Sequence, residues 1–121
     1  PDSSLSAALA APRGVTALVG GGGKTTLMFR LARELAAAHK VVVATTTHVM
    51  RPQDIPVLVD PTLEEIRAAL STENAIFVGR VASHDKMTAS GIEAGDLAAV
   101  ADYVLVEADG ARGRPLKAPA F

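Results

Sequence analysis

The chain has 121 residues, 49% of them hydrophobic, 21% charged and 3% aromatic, with a formal net charge of −1 and no cysteine. That length holds one domain or part of one, since single cores occupy about 50–200 residues, and the apolar content excludes a disordered chain. Disulfides, thiolate metal sites and cysteine nucleophiles are excluded, and the near-neutral charge argues against a nucleic-acid partner bound through bulk charge.

Residues 2–10 place Leu5 and Leu9 four apart behind polar capping candidates, which predicts a short amphipathic helix ended by Pro12 and Gly14. Residues 15–19 form an apolar, partly β-branched run that stops at four consecutive glycines, the pattern of a buried strand feeding a tight turn. From Thr25 to His39 the apolar residues Leu27, Met28, Leu31, Leu35 and Ala36 recur at spacings of three and four, predicting a helix with one buried face. Residues 41–44 read as a second buried strand, and residues 55–59 as a short extended piece flanked by Pro52 and Pro56. A helix then runs through Leu63, Ile66, Ala69 and Leu70, with Asp60 as its cap and Pro61 at its first position. Residues 75–78 are the next strand, ending at Gly79 and Arg80; residues 81–91 read as a polar loop carrying His84, Asp85 and Lys86. A short helix over 93–101 leads to a last strand over 103–106, which closes on Glu107, Ala108, Asp109 and Gly110.

Alternating strands and helices imply an α/β, three-layer fold, with helices on both faces of a mostly parallel sheet and ligands outside the carboxyl ends of the strands. No apolar run approaches the roughly 18 residues of a membrane span, and the first residues lack the layout of a signal peptide, so a cytoplasmic protein without a membrane partner is expected.

The run Gly20-Gly21-Gly22-Gly23-Lys24-Thr25-Thr26 joins a predicted strand to a predicted helix. Glycines let the backbone approach a phosphate closely, and the helix start offers N–H donors and a positive dipole to the anion. Lys24 supplies a point charge for the terminal phosphates and the Thr25 hydroxyl a ligand for Mg²⁺. The run satisfies the short pattern G-x-x-G-K-T-T; the longer P-loop pattern needs Gly where this chain has Leu18. A dinucleotide site is excluded, because the last small residue of that fingerprint falls on Thr25 and the second strand ends in Thr45 in place of an acid.

Glu107, at the carboxyl end of an apolar strand, is the first candidate for a Mg²⁺ ligand, because this cation needs one or two carboxylates besides phosphate oxygens and water. Asp109 lies two residues further and shares its side if the chain stays extended; a turn residue before Gly110 is the competing reading. Thr47 and His48, at the end of Thr45-Thr46-Thr47-His48, are candidates to meet the terminal phosphate and metal, although a threonine run is also ordinary strand sequence. Arg112, Arg114 and Lys117 follow the acidic strand, where they either neutralise developing phosphoryl charge or form a solvated face. His39 reads as a cation at a helix C-terminus, and His84 as a loop residue.

Taken together, the glycine loop, Thr45-Thr46-Thr47-His48, Glu107-Ala108-Asp109-Gly110-Ala111 and Pro115-Leu116-Lys117-Ala118-Pro119 make the sequence resemble the YqeC family. Its members are described as accessory proteins for selenium-dependent molybdenum hydroxylases, or selenium cofactor biosynthesis proteins. The resemblance implies a P-loop NTPase-like nucleotide-binding fold and a maturation role. Lys24 and Thr25 match its phosphate and metal positions, and Glu107 and Asp109 its acidic block.

The leading expectation is a Mg²⁺-dependent protein that binds ATP or GTP through residues 20–26, Thr47, His48 and Arg112. Lys24, Glu107 and Asp109 are its catalytic candidates, and it acts as an NTPase or phosphoryl-transfer enzyme in selenium or molybdenum cofactor supply. Its expected partners are the nucleotide, a molybdenum-hydroxylase maturation protein and further copies of itself. Two alternatives stand beside it: a non-catalytic nucleotide-sensing scaffold, and the nucleotide-binding part of a ligase resembling the Mur ligases. With four strong strands and an early end after the acidic block, residues 1–121 read as the N-terminal portion of a longer protein, its sheet incomplete at the C-terminus.

Overall fold

A computed structural model describes residues 14–19 and 24–108. The predicted helix over 2–10, Gly20 to Gly23, Asp109, Arg112 and the other residues after Ala108 lie outside the described residues. Among the described residues the elements are β1 (Gly14–Val19), α1 (Lys24–Leu35), β2 (Val41–Thr45), β3 (Val49–Met50), β4 (Val57–Val59), α2 (Leu63–Leu70), β5 (Ala75–Ser83), β6 (Lys86–Thr88), α3 (Ala94–Ala98) and β7 (Tyr103–Ala108).

The expected parallel sheet is present, and it has more strands than the four strong candidates of the sequence. Strands β1, β7, β2, β5 and β4 lie side by side, every neighbouring pair parallel. The extended piece before α2 is thus a true strand, with Val57, Leu58 and Val59 opposite Phe77, Val78 and Gly79. The sheet is mixed because β5 continues past Arg80 into an antiparallel pairing with β6, which in turn pairs with β3. This corrects the polar loop expected over 81–91. The first five residues of β5 are buried and the last four exposed, so its second half carries no apolar run by which sequence would reveal a strand.

Alternation along the strands divides the core between two faces. Val41, Val43, Phe77 and Leu105 pack with Met28, Leu31, Ala32 and Leu35 of α1. Val42, Ile76, Val78, Val104 and Val106 pack with Ile66 and Leu70 of α2 and Leu97 of α3. Helices therefore cover both faces, as parallel strands require. Phe77, Met28, Leu31 and Ile66 are among the largest fully buried side chains, each worth roughly 1.5–3 kcal/mol of transfer free energy.

Helix α2 starts differently from the expectation. Thr62 is its cap: its hydroxyl accepts from the Glu65 N–H, and the Glu65 carboxylate accepts from the Thr62 N–H, a reciprocal capping box. Asp60 instead has a positive φ of 48° and accepts a hydrogen bond from Arg80 Nε at 2.9 Å. Helices α1 and α3 are shorter than expected, ending at Leu35 and Ala98.

Candidate functional site

Parallel register brings three chain segments to one end of the sheet. Leu18 of β1 and Thr45 of β2 stand opposite Glu107 of β7 on its two sides. Glu107 therefore lies between the strand that leads into the glycine loop and the strand that leads into the threonine run. The chain re-enters the described residues at Lys24, the first residue of α1. One residue on, the Thr25 hydroxyl donates to Glu107 Oε1 at 2.8 Å, across 82 positions of sequence. Both side chains are half-buried, so the bond is partly shielded from water, and a hydroxyl donor to an ionised carboxylate is stronger than a neutral pair.

The backbone of Glu107 is held as firmly from the other side. Its carbonyl accepts from the Thr46 N–H at 2.9 Å, from the Thr45 hydroxyl at 3.2 Å and from the Thr46 hydroxyl at 3.4 Å. Thr45 Oγ1 in turn accepts the Thr47 N–H at 3.1 Å, a local side-chain turn of the kind Thr makes at strand ends. The candidate residues of the sequence thus divide. Thr25 and Glu107 are joined directly. Thr47 is half-buried and tied to them only through its N–H and Thr45, while His48 is exposed. Among the described residues, neither the Thr47 nor the His48 side chain bonds to Thr25 or Glu107. Thr26 is exposed and lines a cleft of about 230 Å³ together with Thr25, Phe29, Arg33, Pro52, Gln53 and Asp54.

Thr45 and Thr46 escaped the sequence reading as site residues. The signal that marks Thr45 is a hydroxyl at the end of an otherwise apolar, buried strand, where its burial demands partners. His39 and His84 lie apart from the site. His39 follows α1 at the opposite end of the sheet, its ring edge-on to Tyr103 with centroids 5.0 Å apart and its Nδ1 3.8 Å from Asp102. His84 is exposed, 3.6 Å from Asp85. Among the described residues no group of three or more His, Asp and Glu side chains converges on a common point, and no helix is long and apolar enough to cross a membrane.

The fold is α/β, with a mixed sheet and the Thr25–Glu107 pair at the carboxyl ends of its central strands. The YqeC protein family model matches residues 16–121, and the chain belongs to that family. It is 38% identical over 112 residues to the uncharacterized protein YqeC of Escherichia coli (strain K12), an alignment covering 87% of this chain and 44% of that relative. The chain thus spans less than half the length of the curated relative it matches. No solved structure matches it significantly.

Proposed function

We propose that the chain binds a nucleoside triphosphate with Mg²⁺, the phosphates lying on residues 20–26 and the cation between Thr25 and Glu107. The observation that carries this reading is the 2.8 Å bond between the Thr25 hydroxyl and the Glu107 carboxylate. It couples the residue after the glycine-lysine run to an acid at the end of the neighbouring strand. A hard cation favours this donor set: one hydroxyl and one carboxylate, with the remaining ligands drawn from phosphate oxygens and water. When bound, Mg²⁺ supplies positive charge to the phosphates; Lys24 adds a second charge, and the start of α1 contributes N–H donors and its dipole.

The reaction that fits this arrangement is hydrolysis or transfer of the terminal phosphoryl group, because positioning and charge neutralisation are what such chemistry asks of a protein. Family membership favours a role in the supply of a selenium or molybdenum cofactor, with ATP or GTP as the nucleotide and a molybdenum-hydroxylase maturation protein as partner.

Calorimetric titration of ATP and of GTP, each in Mg²⁺ and in EDTA, tests the binding reading. Saturable binding that strengthens with Mg²⁺ is expected for at least one of them. Heats indistinguishable from dilution for both contradict it. A single-turnover assay with the nucleotide that binds then separates turnover from sensing.

A further inference from the structure

We propose that Thr45 is a positioning residue of the Thr25–Glu107 site, an inference that rests on the nucleotide-and-metal reading above. Thr45 is buried, 2% exposed, although its side chain is polar. It follows Val41, Val42, Val43 and Ala44 at the end of β2, a setting in which valine would fill the same volume without a hydroxyl to desolvate. Burying a hydroxyl costs about 1–3 kcal/mol unless its hydrogen bonds are made. Here both are made. Oγ1 donates to the Glu107 carbonyl at 3.2 Å and accepts the Thr47 N–H at 3.1 Å.

These two bonds do different jobs. The first reinforces the rung at which β2 and β7 are in register, Thr45 opposite Glu107, and so helps to hold the backbone from which the Glu107 carboxylate reaches Thr25. The second folds the chain directly after β2 back onto the same hydroxyl, setting where Thr47 begins its path away from the sheet. One oxygen therefore links the backbone of the acid to the backbone of the threonine turn. Thr46 secures the Glu107 carbonyl too, through its N–H at 2.9 Å, so strand pairing survives without the Thr45 hydroxyl. Deleting that hydroxyl releases the Thr47 N–H and loosens the link between turn and carboxylate.

The test compares wild type, Thr45→Val and Thr45→Ser by circular dichroism, thermal melting and calorimetric titration of the nucleotide in Mg²⁺ and in EDTA, well below the melting temperature. Residues that orient a metal ligand typically change metal affinity about 10–100-fold when removed. The Mg²⁺-dependent gain in nucleotide affinity is expected to fall by about tenfold in Thr45→Val, at the low end of that range. Thr45→Ser is expected to restore it to within about twofold, because serine keeps both hydrogen-bonding functions. Affinity in EDTA is expected to stay unchanged in both variants. A Thr45→Val protein that melts lower yet keeps the full Mg²⁺-dependent gain overturns the proposal, since that is the signature of a purely structural hydroxyl. Failure of Thr45→Ser to restore the gain overturns it as well. If Thr45→Val does not fold, Thr45→Cys, a weak donor and acceptor of similar size, takes its place and must show a reduced gain. Mg²⁺-dependent binding by wild type with no loss in the variants sinks this proposal alone; absence of binding by wild type sinks the proposal and the reading beneath it together.

Discussion

The Thr25 hydroxyl and the Glu107 carboxylate meet at 2.8 Å although 82 positions separate them in sequence. Parallel pairing of β1 with β7 makes the meeting possible, because it places the end of each strand beside the other, Leu18 opposite Glu107. Helix α1 then starts at that same end with Lys24 and Thr25 in its first turn. Polar chemistry is gathered here at the carboxyl ends of the strands, where an open α/β sheet accommodates ligands.

Lys24 precedes Thr25 at the start of α1, and on the proposed reading it faces the terminal phosphates. Removing a hydrogen bond to a charged group costs about 1.5–3 kcal/mol, so Lys24→Ala should weaken nucleotide binding roughly 10–100-fold while leaving the melting temperature close to wild type. Calorimetry on the two proteins checks this; equal affinities would remove Lys24 from the phosphate site.

Gly79 marks the point where β5 leaves the parallel sheet for its antiparallel partner. A Cβ built there would stand 2.7 Å from a ring carbon of Phe77 and 2.7 Å from the Thr88 carbonyl oxygen. Phe77 is fully buried and the carbonyl belongs to β6, so neither neighbour yields freely. Gly79→Ala should destabilise the fold by roughly 1–3 kcal/mol, as overpacking does, and shift the urea midpoint downward with nucleotide affinity intact in the absence of denaturant. An unchanged midpoint would mean that β5 and β6 do not approach as described.

Much of this fold is legible in the sequence because buried parallel strands and an amphipathic helix leave strong patterns. Residues 41–44, 75–78 and 103–106 are apolar runs, and Leu27, Met28, Leu31 and Leu35 recur at helical spacing. The β3–β6 pairing leaves no such trace. Its strands are two and three residues long, and what makes them strands is each other and the exposed half of β5. The expected cap of α2, Asp60, rests on residue type alone; Thr62 takes that position because Glu65, three residues further, completes a reciprocal pair of hydrogen bonds with it. Of the site, Thr25 and Glu107 are each legible by residue type as oxygen ligands for a cation beside phosphates, whereas the direct bond between their side chains emerges only from the fold. The role of Thr45 was hidden, because a threonine in a strand is ordinary until its burial and both its hydrogen bonds are known.

The measurement that bears most directly on the central claim is Mn²⁺ binding followed by electron paramagnetic resonance, with and without the nucleotide, on wild type and Glu107→Gln. The carboxylate at 2.8 Å from the Thr25 hydroxyl supplies a protein charge at the proposed cation site, and Mn²⁺ accepts the same oxygen ligands as Mg²⁺. Wild type should bind Mn²⁺ far more tightly when nucleotide is present, and Glu107→Gln should lose about tenfold or more of that affinity, as loss of a charged ligand predicts. Mn²⁺ binding that ignores the nucleotide, or that is the same in both proteins, would contradict the assignment of Thr25 and Glu107 as the metal and phosphate end of the site.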